Sequence, residues 1–312
     1  VEYAFRRLYT DPDSTHRFLV ADEVGLGKTL VARGVIAKAV EHLWDKVKRI
    51  DIVYVCSNAD IARQNINRLR LDKDRGFVRA TRATLLPLEL KNIENEKVNF
   101  VSMTPGTSLD PRGGTGRVDE RALLFSMLRG HWGFHENRAL SVLRCDVEHN
   151  TFGRWVNWVD EQYVDPHLRK AFLARLDASA VHERSEGRPD LRTRFENLCE
   201  KLPRRDSSLG DTDRKERRKF IAELRTQLGQ ACIRALRPDL VILDEFQRFK
   251  HLMDPTNKDA ELAQSLFDYA DNTDGRAEAV RVLLLSATPY KMYTQEHEGE
   301  EGDHYEDFIA TY

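Results

Sequence analysis

Short apolar runs alternate with longer striped segments along the first hundred residues. Residues 18–21 read Phe-Leu-Val-Ala, a run too short for a helix, which predicts a strand. After Thr29, apolar Val31, Val35, Ala39 and Leu43 recur at helical spacing up to Trp44 and predict a helix. Residues 50–56, Ile-Asp-Ile-Val-Tyr-Val-Cys, form a β-rich run that stops at Ser57-Asn58, residues suited to a turn and a helix cap. A second helix is predicted through Ile61, Ile66 and Leu69, and a third strand over 98–102 that ends at Thr104-Pro105-Gly106. Residues 3–9 predict a short leading helix. Strands and helices that alternate in this way imply a parallel sheet covered on both faces.

The alternation then breaks. Residues 109–236 read as mostly helical and charged, with breaks at the glycine-rich stretch 113–116, at Arg188-Pro189 and at Leu202-Pro203. Residues 203–219 carry seven basic and four acidic side chains and predict an exposed loop entering a helix, with Arg214–Lys219 as either a solvated face or a DNA contact. Strand signals return only at 240–243, Leu-Val-Ile-Leu, and 282–285, Val-Leu-Leu-Leu. The simplest organisation is one α/β domain in two parts, 1–108 and 237–312, interrupted by a large helical insertion over 109–236. Trp132, Trp155 and Trp158 are expected in the core of that insertion.

Composition narrows the classes. The chain has 312 residues, 41% hydrophobic and 32% charged, enough for a packed core under a charged surface. Lys and Arg total 49 against 51 Asp and Glu. Bulk charge therefore neither implies nor excludes nucleic acid, and any basic surface must be local. One such stretch runs from Ile61 to Ala83, where seven Arg or Lys face two Asp, a net +5. The four cysteines form no Cys-x-x-Cys pair and read as reduced thiols of a cytoplasmic protein. No apolar run approaches the ~18 residues of a membrane span. His131, His135, Cys145 and His149 lack the paired spacing of metal ligands. The chain opens on Val1 and stops soon after a motif expected in mid-protein, which predicts a piece of a longer protein.

Three short stretches carry chemistry. The first is Asp22-Glu23-Val24-Gly25-Leu26-Gly27-Lys28-Thr29, between the first strand and the first long helix. Glycines there let backbone N–H groups turn toward phosphate oxygens, Lys28 supplies a charge for the β/γ-phosphates, and the Thr29 hydroxyl suits Mg²⁺. The usual pattern has Gly where this chain has Asp22, and an ordinary strand-to-helix loop is the bland alternative. The second stretch is Asp244-Glu245-Phe246-Gln247, at the end of an apolar strand. A carboxylate in that position suits Mg²⁺, and the next one can deprotonate an attacking water. The third is Leu285-Ser286-Ala287-Thr288-Pro289, again after an apolar run. Two weaker stretches are Ser57-Asn58-Ala59-Asp60 with Arg63, Gln64 and Asn65, and Thr104-Pro105-Gly106-Thr107-Ser108. Their hydroxyls, amides and charges suit phosphate contact without base reading.

Taken in order, these stretches resemble motifs I, Ia, Ib, II and III of superfamily 2 helicases, with motif I closest to the Swi/Snf-like branch. Phe246-Gln247 departs from the commoner Ala-His or Ala-Asp ending of motif II. The resemblance covers roughly residues 1–108 and 236–312. It implies the amino-terminal RecA-like lobe of an ATP-dependent helicase or translocase, with ATP and Mg²⁺ as cofactors and Gln247 among the nucleotide-binding residues. It implies that Ser286 and Thr288 link hydrolysis to nucleic acid, and that Ser57, Asn58, Arg63, Gln64, Thr104, Pro105 and Thr107 lie on the nucleic-acid side. DNA is favoured over RNA, a second RecA-like lobe elsewhere in the longer protein is expected, and a protein partner for the insertion stays open. Bacterial anti-phage systems contain helicases of similar appearance. A nucleotide-gated interaction module that does not move along nucleic acid is the competing class.

Overall fold

The computed structural model describes residues 1–21, 27–57, 59–69, 77–78, 82–104, 114–201, 210–248, 252, 260–271 and 278–286. The chain divides into two compact units. One comprises Val1–Thr81, Asn92–Gly106 and Arg237–Tyr312, the other Arg82–Lys91 and Thr107–Leu236.

In the first unit, α1 (Glu2–Phe5) runs into a wider π-type turn (Arg6–Thr10) and then β1 (Arg17–Ala21). Helix α2 (Lys28–Leu43), β2 (Ile50–Val55), α3 (Ala59–Leu69) and the two-residue β3 (Phe77–Val78) follow. After α4 (Leu90–Glu94), whose first two residues belong to the other unit, comes β4 (Val98–Met103), and the chain returns to this unit with β5 (Leu240–Asp244). A six-stranded sheet has the order β1–β8–β5–β2–β4–β3, where β8 is Arg281–Ser286. Every pairing in it is parallel. Residues Ala270–Asp271 (β6) and Glu278–Ala279 (β7) make a separate antiparallel pair, and α11 is Glu261–Phe267. The fold class is α/β with a parallel sheet.

Burial explains why the central strands read as unbroken apolar runs. All six residues of β2 and the first four of β5 are buried, whereas β1, at the sheet edge, is only half-buried. Along α2 the buried positions are Ala32, Val35, Ile36, Ala39, Val40 and Leu43, one stripe at helical spacing. That stripe packs with Ile52, Tyr54, Leu240, Ile242, Leu283 and Leu285. Alternation along a strand turns the other residues to the opposite face. Asp244, two residues beyond Ile242, therefore shares the face of Tyr54.

Strand β2 also contains a buried acid. Asp51 is 1% exposed. Its Oδ2 accepts from Arg49 Nε and Nη2, each at 2.6 Å, and its Oδ1 accepts from Asn99 Nδ2 at 2.9 Å. Burial pushes its pKa up to about 6, with Arg49 and Asn99 opposing the rise. A folded-state pKa above the unfolded ~3.9 means that the folded state binds this proton more tightly. The associated stability is complete below pH 4 and is lost as pH rises through 6. A rise of that size corresponds to about 3 kcal/mol. The stability of Asp51→Asn relative to the parent should rise by that order between pH 4 and pH 7. Urea unfolding at both pH values checks it, and a difference that does not vary with pH would refute it.

The second unit is helical: α5 (Val118–Leu128), α6 (Glu136–Arg144), α7 (His149–Glu161), α8 (Pro166–Ser185), α9 (Leu191–Lys201) and α10 (Asp211–Leu236). Phe195 stacks on Phe220 at 5.4 Å and meets Trp132 at 5.4 Å. Trp132 is buried as expected, but Trp155 and Trp158 form an edge-on pair with Trp158 39% exposed, so they are not both core residues. The run 214–219 is likewise not uniformly solvated. Arg217 is 2% exposed and reaches Asp146 at 3.1 Å, because the helix turns that position inward beside Phe220 and Ile221. No helix among the described residues is long and apolar enough to cross a membrane.

Candidate functional site

Parallel pairing brings the chemistry-bearing strand ends level with one another. Ala21 of β1 lies opposite Ser286 of β8, and Leu285 lies opposite Asp244 of β5. Val55 of β2 lies opposite both Leu243 and Met103. In open parallel sheets, ligands gather outside this carboxyl edge.

The described part of the phosphate-loop candidate is the start of α2. Gly27 caps the helix at φ 94°, a left-handed conformation that costs a side-chain-bearing residue energy. Its carbonyl accepts the N–H groups of Leu30 and Val31, which starts the helix at Lys28. Lys28 and Thr29 are half-buried in the first turn, where unshared N–H groups and the helix dipole favour an anion. Asp22, Glu23, Val24, Gly25 and Leu26 lie outside the described residues.

The acidic pair is held from the β2–α3 connection. Tyr54 Oη donates to Asp244 Oδ2 at 2.5 Å, and Asn65 Nδ2 lies 2.9 Å from Tyr54 Oη and 3.3 Å from the same carboxylate oxygen. The Glu245 N–H donates to Asp244 Oδ1 at 3.0 Å. Burial and the adjacent Asp244 carboxylate push the Tyr54 hydroxyl far above the ordinary phenol range, so it stays protonated and donates. Glu245 has φ 53°, a left-handed value that a residue with a side chain adopts at a cost of roughly 1 kcal/mol. Ser57 Oγ donates to Glu245 Oε2 at 3.1 Å, and Arg248 Nε lies 3.4 Å from that oxygen. Ser57, one of the residues expected on a nucleic-acid face, is thus engaged with the second carboxylate. The carboxylates of Asp244 and Glu245 and the hydroxyl of Thr29 are hard oxygen donors, a type that fits Mg²⁺ better than a soft metal.

Ser286 stands apart from this network. Ser286 is fully buried and, by alternation, shares the face of Val282 and Leu284 rather than that of Asp244. Its hydroxyl has no hydrogen-bond partner among the described residues. Gln64 is exposed on α3, and Thr104 is half-buried just beyond β4. Asn58, Pro105, Thr107 and Thr288, and the side chains of Arg63 and Gln247, lie outside the described residues. Tyr54 was missed by sequence reasoning, although a hydroxyl in the middle of the apolar run 50–56 was a usable signal. No protein-family model, curated protein or solved structure matches this chain. A functional reading therefore stands on these residues and their geometry.

Proposed function

We propose that this chain is the ATP-binding lobe of a nucleic-acid motor of the superfamily 2 helicase and translocase type, with its first unit RecA-like and its helical unit inserted. The observation that carries the reading is the spacing along the carboxyl edge of the sheet. Strand β1, which leads toward Gly27-Lys28-Thr29, stands two positions from β5 and its Asp244-Glu245. Strands are spaced by about 4.8 Å, so roughly 10 Å separates the two ends, an interval suited to a triphosphate and its hydrated cation. In this reading Lys28 neutralises β/γ-phosphate oxygens, and Thr29 and Asp244 hold Mg²⁺. The cation, when bound, offsets charge that builds up on the transferred phosphoryl group. Glu245 takes a proton from the attacking water, giving ADP and phosphate.

The nucleic-acid part of the proposal, with DNA favoured, draws on the resemblance and on the net +5 stretch from Ile61 to Ala83. Arg68 is exposed on α3 within that stretch. A nucleotide-gated interaction module is the competing reading, favoured by the separate helical unit. One experiment addresses both. Lys28→Ala should weaken ATP binding about ten- to a hundredfold, since a contact to a charged group contributes roughly 1.5–3 kcal/mol. Duplex DNA should raise the ATPase rate of the parent and not that of the variant. Unchanged ATP affinity would refute the site, and an ATPase that ignores nucleic acid would favour the module.

A further inference from the structure

Asp244 is the most heavily constrained carboxylate of the candidate site. An ionised carboxylate offers about four acceptor positions. Tyr54 and Asn65 converge on Oδ2, and the Glu245 N–H takes one position on Oδ1. Among the described residues three of the four are filled, which leaves a single direction for a cation or for a water that a cation holds.

The origin of the donors is as informative as their number. Tyr54 is 1% exposed among Ile52, Ile242 and the α2 stripe, a setting in which a phenylalanine would pack without any polar atom to satisfy. Its hydroxyl is instead directed to the carboxylate that ends the neighbouring strand. Asn65 lies on α3 and bonds to both groups, so the orientation of Asp244 is set jointly by β2 and α3.

We infer that Tyr54 and Asn65 are positioning residues that select the one oxygen of Asp244 presented to a divalent cation. This inference rests on the nucleotide reading given above. Groups that hold a metal ligand from behind raise metal affinity without touching the metal, and their loss typically costs 10–100-fold. Neither side chain contacts phosphate in this scheme, so nucleotide affinity without metal is independent of both.

The test uses the full chain and two titrations. Mn²⁺ bound to the protein in the presence of ATP is read from the enhancement of water proton relaxation, which Mn²⁺–ATP free in solution gives only weakly, and a fluorescent ATP analogue is titrated in excess EDTA. Tyr54→Phe should raise the Mn²⁺ concentration for half-saturation about 10–100-fold and leave analogue affinity in EDTA and Tm unchanged. Asn65→Ala, on the half-buried side of α3, should shift it in the same direction by less. Asp244→Asn is the reference, and it should weaken Mn²⁺ binding at least as far. If Asp244→Asn weakens binding and both other variants match the parent, the positioning role falls while the nucleotide site stands. If Asp244→Asn has no effect, the site and the inference fall together. A Tyr54→Phe protein that loses affinity equally in EDTA would assign Tyr54 a structural role and overturn the inference.

Discussion

Glu245→Gln should bind ATP as tightly as the parent and hydrolyse it about 10²–10⁴-fold more slowly, the usual contribution of a positioned general base. The amide matches the carboxylate in size but cannot take the proton of an attacking water. Its carbonyl oxygen can still accept from Ser57 Oγ, which sits 3.1 Å from Oε2 in the parent. The surrounding fold has no reason to change, because the left-handed backbone at φ 53° belongs to the main chain and tolerates either side chain equally. Ion pairing with Arg248 is lost, but that side chain is 61% exposed, and exposed pairs contribute little. A loss of rate would therefore report chemistry rather than unfolding. Single-turnover hydrolysis with filter-bound ATP separates binding from reaction. Full turnover by the variant would remove Glu245 from the reaction, and weakened ATP binding at normal turnover would recast it as a binding residue.

The backbone plan was open to reading because it follows from local rules. Runs such as 240–243 and 282–285 are apolar throughout because parallel strands between two covered faces have no solvent side. The α2 stripe from Ala32 to Leu43 obeys the helical period for the complementary reason. Strand β3 was not foreseen. Two residues cannot show a period, and Phe77–Val78 is a strand only by its pairing with Phe100 and Val101 of β4. The 3-10 segment Ala83–Leu88 was also not foreseen, and residues 82–91 belong to the helical unit.

The candidate site divides along the same line. Lys28, Thr29, Asp244 and Glu245 announce themselves by residue type next to a strand or turn signal. What holds them does not. Tyr54 meets Asp244 across 190 positions and Ser57 meets Glu245 across 188, so no window along the chain contains either pair. Arg217, inside the run 214–219, is a related case: its partner Asp146 lies 71 positions away, so no window along the chain shows that this guanidinium is buried. Charge inside the helical unit was legible in amount but not in location.

Glu120→Ala should destabilise the helical unit by about 3–5 kcal/mol, the cost of leaving a buried ion without its counter-ion. Glu120 is fully buried in α5. Its Oε1 accepts from Arg225 Nε at 3.2 Å and Nη2 at 3.0 Å, and from Thr84 Oγ1 at 2.5 Å. Its Oε2 accepts from Arg82 Nη1 at 3.0 Å and from the Arg117 N–H at 2.7 Å. Burial raises its pKa, but Arg225, Thr84, the Arg117 amide and Arg82 outweigh that and hold the carboxyl below its ordinary value. One side chain thus joins three segments: 82–84, the start of α5 and the middle of α10. Gly116 closes over the cluster at φ 69°, where an added Cβ would stand 2.4 Å from Arg225 Nε and 2.8 Å from Glu120 Oε2. Truncation to Ala leaves Arg225, itself 4% exposed, charged and buried without that partner. A second variant, Glu120→Leu with Arg225→Met, removes both charges and should recover part of the loss, since an apolar pair of similar volume can replace a buried ion pair. Amide hydrogen exchange across α5 and α10 reads the local stability, and protection there should fall about 10²–10³-fold or more in the single variant. Protection within tenfold of the parent would mean that the apolar contacts around Phe195 and Phe220 hold the unit together and that the buried ions are incidental to its stability.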